Sequence, residues 1–328
     1  MTAPRHIRIL TDGKIGDLVQ CRGVASHLVE GTDAQLEEQV VRLRGWRSLP
    51  WPLPFPPIPA GERPEVPGSP VGALRDGGLP DLVIASGRRT VPYLVALRTW
   101  RPAVPIVFLK DPRWQGRAVC DLIWAPLHDR LPPDDNAVVA THTSPHGLTE
   151  PVLAAARARA RERLGALEAP VTGVILGGDT GSVRFNARSS HAFAMTLAGA
   201  LRDRGGSVLV TTSRRTPPVL AGAVRAALPG AWFDDGTENA YTQILAVADE
   251  LIVTGDSHNM VSEALVTGVP VHVHRPPRLS AKLHRFLDAM VEMGAVRALE
   301  APLVAFEGRK VDASARIARA IRDRLFPG

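Results

Sequence analysis

Short runs of Val, Ile and Leu recur along the whole of this chain, each ending in a loop of small or charged residues and followed by a longer amphipathic stretch. Runs of that kind are strands buried on both faces, and their alternation with helices builds βα units around a parallel sheet. Strands are predicted at His6 to Leu10, Gln39 to Leu43, Asp81 to Ala85, Val104 to Leu109, Leu122 to Ala125 and Ala137 to Ala140. A helix over Leu148 to Leu167 separates them from a second series at Val171 to Leu176, Ser207 to Thr211, Ala231 to Phe233, Glu250 to Val253 and Val269 to His272. The 328 residues suffice for about two domains. The expected architecture is α/β, with Rossmann-like domains over 1–155 and 156–328 facing each other across a cleft. Ile317, Ile321 and Leu325, at i, i+4 and i+8, form one face of a closing helix over 312–326 that returns toward the first domain.

Composition narrows the function classes. Cys21 and Cys120 are too few for a disulfide framework or a cysteine metal site, which fits a reducing cytoplasm. No stretch reaches the roughly 18 to 20 apolar residues of a membrane span, and no secretory core follows Met1. The net charge of +6 suits an anionic ligand or an acidic membrane surface, and with 5% aromatics nucleic acid ranks behind both. Between Pro50 and Pro70 stand nine of the 29 prolines, interleaved with Trp51, Leu53, Phe55 and Ile58 and preceded by Trp46. No helix survives that density. The loop 46–70 is either an extended cover packed on the first domain or an apolar surface for a bilayer or a lipid-linked acceptor.

In a doubly wound sheet ligands sit outside the carboxyl ends of the strands. After the first strand come Asp12, Gly13, Lys14, Gly16 and Asp17, where glycines admit backbone N–H groups to a ligand ahead of a helix. The spacing is GxxG, so the dinucleotide fingerprint fails. After the third strand stand Ser86, Gly87, Arg88 and Arg89, and after the fourth Lys110, Asp111, Pro112 and Arg113. The second half repeats the pattern. Gly177 and Gly178 are followed by Arg184, and Thr212, Ser213, Arg214 and Arg215 form a second phosphate-suited loop. A third loop runs Asp256, Ser257, His258, Asn259, Met260, and Asp256 or Ser257 caps the helix behind it. Asn259 and Glu263, four apart, share one helix face, and capping leaves Glu263 unexplained inside an apolar helix.

A strand, a Gly-Asp-Ser loop, an SEA helix and G-x-P resemble the donor-nucleotide site of GT-B glycosyltransferases, in which the helix N-terminus faces the diphosphate and the helix glutamate holds the ribose. More narrowly, DGKIGDLVQ, PDLVIASGRRT, LKDP, LHDRL, VILGGDTG and TGDSHNMVSEALVTGVPVHV together resemble the mitochondrial fission ELM family, whose bacterial members are GT-B-like glycosyltransferases by prediction and whose plant member recruits a dynamin-related protein. The match runs in order over most of the chain and is weakest in the Pro-rich loop. The resemblance implies a GT-B-like fold and a nucleotide-sugar site, UDP- or GDP-linked, with no cofactor. The first loop, TDGKIGD, is also similar to the TGGxGGH of the lipid-linked GlcNAc transferases of peptidoglycan synthesis. Those loops, and the ELM family's usual DGKAGH, end in His where this chain has Asp17.

The resulting expectation is metal-independent transfer of a sugar from a nucleotide donor to an acceptor, lipid-linked in one version. Arg184, Arg214, Arg215 and the helix beginning near Ser257 would stabilise the leaving diphosphate, and Asp17, beside Lys14 and His128, would take the acceptor's proton. Asp17 reads equally as a helix cap, and His128 as a turn residue. A serine hydrolase built on Asp256, Ser257 and His258 fails because sequence neighbours cannot relay a proton to one another. His272 and His274, two apart on a strand, lack a third metal ligand. The alternatives are a sugar-nucleotide 2-epimerase on the same fold and a scaffold without turnover. A cytoplasmic location, peripheral at the inner face of a membrane, goes with the enzyme reading.

Overall fold

The computed structural model describes residues 4–42, 58–74, 78–129, 131, 138–234, 236 and 240–327. The chain divides into two compact units, Met1–Thr141 with Pro145–Gly147 and Ala313–Gly328, and His142–Ser144 with Leu148–Asp312.

The first unit holds β1 (His6–Thr11), α1 (Ile15–Val29), β2 (Gln35–Val40), β3 (Leu82–Ser86), α2 (Val91–Trp100), β4 (Ile106–Leu109), α3 (Arg113–Arg117), β5 (Leu122–Pro126) and β6 (Val138–Thr141). Its sheet is parallel in the order β2-β1-β3-β4-β5-β6. Every residue of β3, β4 and β5 is buried, which is why their apolar runs are unbroken. The second strand is displaced from its expected place at Gln39 to Leu43. As an edge strand β2 needs little burial, and its sequence QLEEQV carries no apolar signal. Pairing with β1 decides its register, setting Glu37 opposite Arg8. Arg8 is almost fully buried, its Nη2 2.7 Å from Glu37 Oε2 and its Nη1 2.6 Å from the Gly72 carbonyl. That guanidinium ties the described end of the Pro-rich region to the sheet, and Ile58 and Val71 join the same unit's core. Trp46, Trp51 and Phe55 lie outside the described residues.

The second unit holds α4 (Glu150–Leu164), β7 (Val171–Leu176), α5 (Ala187–Leu201), β8 (Ser207–Thr212), α6 (Pro218–Ala227), β9 (Trp232–Phe233), α7 (Tyr241–Val247), β10 (Glu250–Thr254), α8 (His258–Val266), β11 (Val271–His274), α9 (Ala281–Glu292) and β12 (Arg297–Ala298). These strands are also parallel, in the order β12-β11-β10-β7-β8-β9. β11 begins two residues later than the predicted Val269, because Gly268, at φ +79°, and Pro270 turn the chain first. The two-residue β12 has no counterpart in the expected set.

The boundary expected at 155 falls inside α4, and the chain changes unit at 141–148 instead. The closing helix α10 (Ala313–Leu325) returns to the first unit as expected, and so falls outside the second unit in which the range 156–328 would include it. Ile317, Ala318 and Ile321 are fully buried in one cluster with Val24, Ala25 and Leu28 of α1. Ser314 Oγ accepts from the His146 N–H at 2.8 Å and donates to the His146 carbonyl at 2.9 Å.

Candidate functional site

In the first unit the loops after β1, β3 and β4 meet at a pocket of about 490 Å³ lined by Lys14, Asp17, Gly87, Arg88, Lys110, Asp111 and Arg113. Lys14 is the N-cap of α1 and makes no side-chain cap. Asp17 is therefore not the capping residue. It lies inside the first turn, 5% exposed, and its Oδ1 accepts from Lys110 Nζ. Lys110 reaches it from a backbone of φ +85°, and Arg113 stands at φ +67°. Such conformations are strained for residues with a Cβ and gather at functional sites. Asp111 is a local brace: its Oδ1 accepts from the Arg113 N–H at 2.9 Å and from Arg117 Nε at 3.0 Å. Burial pushes its carboxyl up, but those bonds and the two guanidinium charges outweigh it and hold it below the usual value.

Behind the pocket, Asp12 lies 3.4 Å from Lys14, and its Oδ1 is buried with no hydrogen-bond partner among the described residues. Gly87, at φ +95°, lets the β3 loop close on that carboxylate, since a Cβ there would lie 2.5 Å from Asp12 Cγ. Ser86 is buried and donates to the Leu109 carbonyl, so it serves the sheet. Gly13, Gly16, Arg88 and Arg89 are exposed. His128 falls in the turn Leu127–Asp129, and its side chain lies outside the described residues.

In the second unit three loops converge at the carboxyl edge of β7, β8 and β10. Asp256, 3% exposed, is the hub. Its Oδ2 accepts from the Gly178 N–H at 3.0 Å and from Arg215 Nη2 at 3.2 Å, and its Oδ1 accepts from Thr254 Oγ1 at 2.7 Å. Thr254 Oγ1 in turn accepts from the Gly177 N–H at 2.7 Å. Glycine is required at 178 because a Cβ would stand 1.9 Å from the Arg215 carbonyl oxygen. Ser213 and Thr216 close the β8 loop, with Ser213 N–H on Thr216 Oγ1 at 2.8 Å. Ser257, not Asp256, caps α8, accepting from the Met260 N–H at 3.4 Å. His258, the first residue of α8, lies 2.6 Å through Nδ1 from Ser144 Oγ and 3.0 Å through Nε2 from the His142 carbonyl.

The candidate donor residues thus separate by role. Asp256 and Arg215 shape the loops, while Thr212, Arg214 and Asn259 are exposed at their rim. Arg184 is 72% exposed and lies 3.4 Å from Asp179. Met260 is buried in the unit's core. Glu263 is no unexplained charge, since its Oε2 accepts a 2.5 Å hydrogen bond from the Tyr241 hydroxyl. Thr254 and Tyr241 are not among the residues that the sequence singles out, and Lys110 is named there only as part of the loop after the fourth strand, without a role. Lys110 sits beside motif residues and was within reach of the sequence, whereas Tyr241 meets Glu263 only through the fold. Among the described residues no group of three His, Cys, Asp or Glu side chains gathers around His272 or His274; burial lowers both pKa values, that of His274 to about 4, and their rings pack on Phe306 and Phe193.

Comparison with known proteins puts this geometry in context. The family model for mitochondrial fission ELM1 matches residues 16–325. The chain belongs to the mitochondrial fission ELM1 family. The mitochondrial fission protein ELM1 of Arabidopsis thaliana is 28% identical over 250 residues, which cover 68% of this chain and 57% of that protein. The uncharacterized protein RP120 of Rickettsia prowazekii is 28% identical over 133 residues, 38% of each. The chain thus spans little more than half of one curated relative and less of the other. Among solved structures, the UDP-GlcNAc 2-epimerase of Neisseria meningitidis bound to UDP-GlcNAc is similar with a TM-score of 0.51 at 11% identity, covering 98% of this chain and 92% of that one. That likeness carries the fold, and this ELM1-family chain is GT-B-like α/β. Among the described residues no helix is long and apolar enough to cross a membrane.

Proposed function

We propose that this protein is a metal-independent glycosyltransferase whose second unit binds a nucleotide sugar at the carboxyl edge of β7, β8 and β10. The carrying observation is the convergence there of the Gly177–Gly178 turn, the Ser213–Thr216 loop and the N-terminus of α8, held together by Asp256. Backbone N–H groups at a helix start and exposed cations beside them, Arg214 above all, are what a diphosphate needs. The solved epimerase of like fold is bound to UDP-GlcNAc, which motivates a UDP-linked donor.

The leaving diphosphate draws its stabilisation from Arg214, the α8 N-terminus and, after exchange of its Asp256 contact, Arg215. In the first unit Asp17 takes the proton of the acceptor hydroxyl. Lys110 donates a hydrogen bond to that carboxylate, and Lys14 and Arg88 on the same pocket wall orient the acceptor. The acceptor is lipid-linked in this reading, the loop 46–70 and the net positive charge serving a peripheral position at a membrane.

A panel of nucleotide sugars tests the proposal through the melting temperature, since a ligand that binds only the native state must raise it. One donor should stabilise the wild type and lose about tenfold or more in affinity in Arg214→Ala, as expected for a charge-assisted contact. No shift with any nucleotide sugar overturns the reading. Binding without transfer to any acceptor leaves a scaffold that has kept the donor site.

A further inference from the structure

The second unit also holds a cavity that no residue of the donor loops lines. It lies at the opposite, amino edge of the sheet, where β8 and β9 begin and α4, α5 and α6 end, and it measures about 480 Å³. That is the size of a small-molecule pocket, not of a packing defect. Leu201 and Leu209, both buried, form its floor, and the half-buried Leu164, Leu228 and Trp232 form its walls. Arg163 holds the Trp232 ring in place, its guanidinium 5.3 Å over the ring and 3.3 Å from Asp234.

The rim is built differently. Arg202, Gly205 and Gly230 are exposed, and at either glycine a Cβ would meet nothing within 4 Å, so the cavity opens there. At Gly206 a Cβ would stand 2.0 Å from the Pro170 carbonyl oxygen, which closes that side. Among the described residues Arg202 is the one charged side chain lining the cavity. Three helix carboxyl ends meet here, and their dipoles by themselves would repel an anion. Each dipole end amounts to about half an elementary charge, and each helix sets a whole cation against it. These are Arg163 in the last turn of α4, Arg202 at the C-cap of α5 and Arg225 in the last turn of α6.

An apolar floor beneath a single exposed guanidinium is the complement of an amphipathic acid. We infer that the amino edge of the second unit is a binding site for a small amphipathic carboxylate, its apolar body against Leu201, Leu209 and Trp232 and its head group at Arg202. The body supplies the driving force by leaving water, and Arg202 selects the head group.

Decanoate and decanol, which share a chain length and differ in head-group charge, are the probes, with binding to the full chain read by calorimetry and tryptophan fluorescence. Trp232 is the only tryptophan beyond residue 124, so it reports on this unit. Wild type should bind decanoate with a fluorescence change that Trp232→Phe removes while calorimetric binding persists. Arg202→Gln should weaken decanoate by about fivefold, the upper span of an exposed ion pair, and leave decanol as it was. Ala227→Phe, which fills the cavity from the end of α6, should abolish binding of both probes. If that variant unfolds, Gly230→Phe, placed where a Cβ has open space, supplies the comparison. The inference is overturned by a wild type that binds no decanoate, by a fluorescence change that outlasts Trp232, by an Arg202→Gln protein that treats the two probes alike, or by binding that survives the filled cavity. No nucleotide enters this experiment, so the donor site stands or falls separately.

Discussion

Asp17, on which the proposed proton transfer turns, and Glu263 each accept from a donor on a distant stretch of chain, Lys110 and Tyr241. Since Asp17 does not cap α1, Asp17→Asn removes a charge without undoing the helix start, and Lys110, nearly half exposed, returns to water at small cost. Stability should change by less than about 1 kcal/mol and nucleotide affinity not at all, while transfer falls by roughly 10²- to 10⁴-fold as expected for a lost general base. Side-by-side rates and calorimetry check this, and full turnover in the variant would make Asp17 a structural partner of Lys110. His274 gives a prediction in pH. Burial lowers its pKa from 6.5 to about 4, so between those values the unfolded chain binds a proton that the native one refuses. Stability should fall as the pH drops from about 6.5 toward 4 and level off below, by up to about 3 kcal/mol from this residue. Urea unfolding across that range should show a flatter profile for His274→Gln than for wild type, and parallel profiles would reject the assignment.

At the scale of elements, the donor loops are locked into one another by close backbone approach. Gly178 meets the Arg215 carbonyl, whereas Gly181, three residues on in the same connection, has open space around its Cα. Gly178→Ala must push the Ser213–Thr216 loop away, an overpacking cost of about 1 to 3 kcal/mol, and with the loop displaced nucleotide binding should be lost. Gly181→Ala should stay within about 0.5 kcal/mol of wild type and bind normally. Denaturant unfolding and calorimetry on the pair read both effects. Equal behaviour of the two variants would mean that the β8 loop tolerates displacement and is not the phosphate cradle.

For the whole molecule, the C-terminal segment completes the first unit. Ile317 and Ile321 fill the face of α1 that β1 and β3 leave uncovered, and the Ser314–His146 bonds fasten the segment at its start. Ile317→Ala should cost about 2 to 5 kcal/mol, the range for emptying a core position, and should act on the first unit alone. Hydrogen exchange resolved along the chain checks this: amides of β1, α1 and β3 should lose protection while those of β7 and β10 keep theirs. Loss spread evenly over both units would show that they unfold as one.

The buried strands and their order of appearance were legible from the residues, because a strand covered on both faces carries an unbroken apolar run, as LVIA of β3 and VIL at the end of β7 are. The loops worth inspecting were legible too, since a parallel sheet presents its carboxyl ends to ligands whatever the details of its packing. Family motifs such as TGDSHNMVSEAL added the GT-B-like pattern. β2 was misplaced, because an edge strand of QLEEQV is defined by pairing Glu37 with Arg8 and not by burial. The unit change near 141–148 is a long-range choice, made by which apolar faces remain uncovered once the sheets have formed, whereas the closing helix returns to the first unit as expected. Residue roles at the site divide in the same way. Ser257 as a cap is local chemistry, whereas Asp256 as the hub of three loops, Asp17 bound to Lys110 93 residues away and Glu263 bound to Tyr241 exist only because the tertiary structure brings distant side chains within hydrogen-bonding distance.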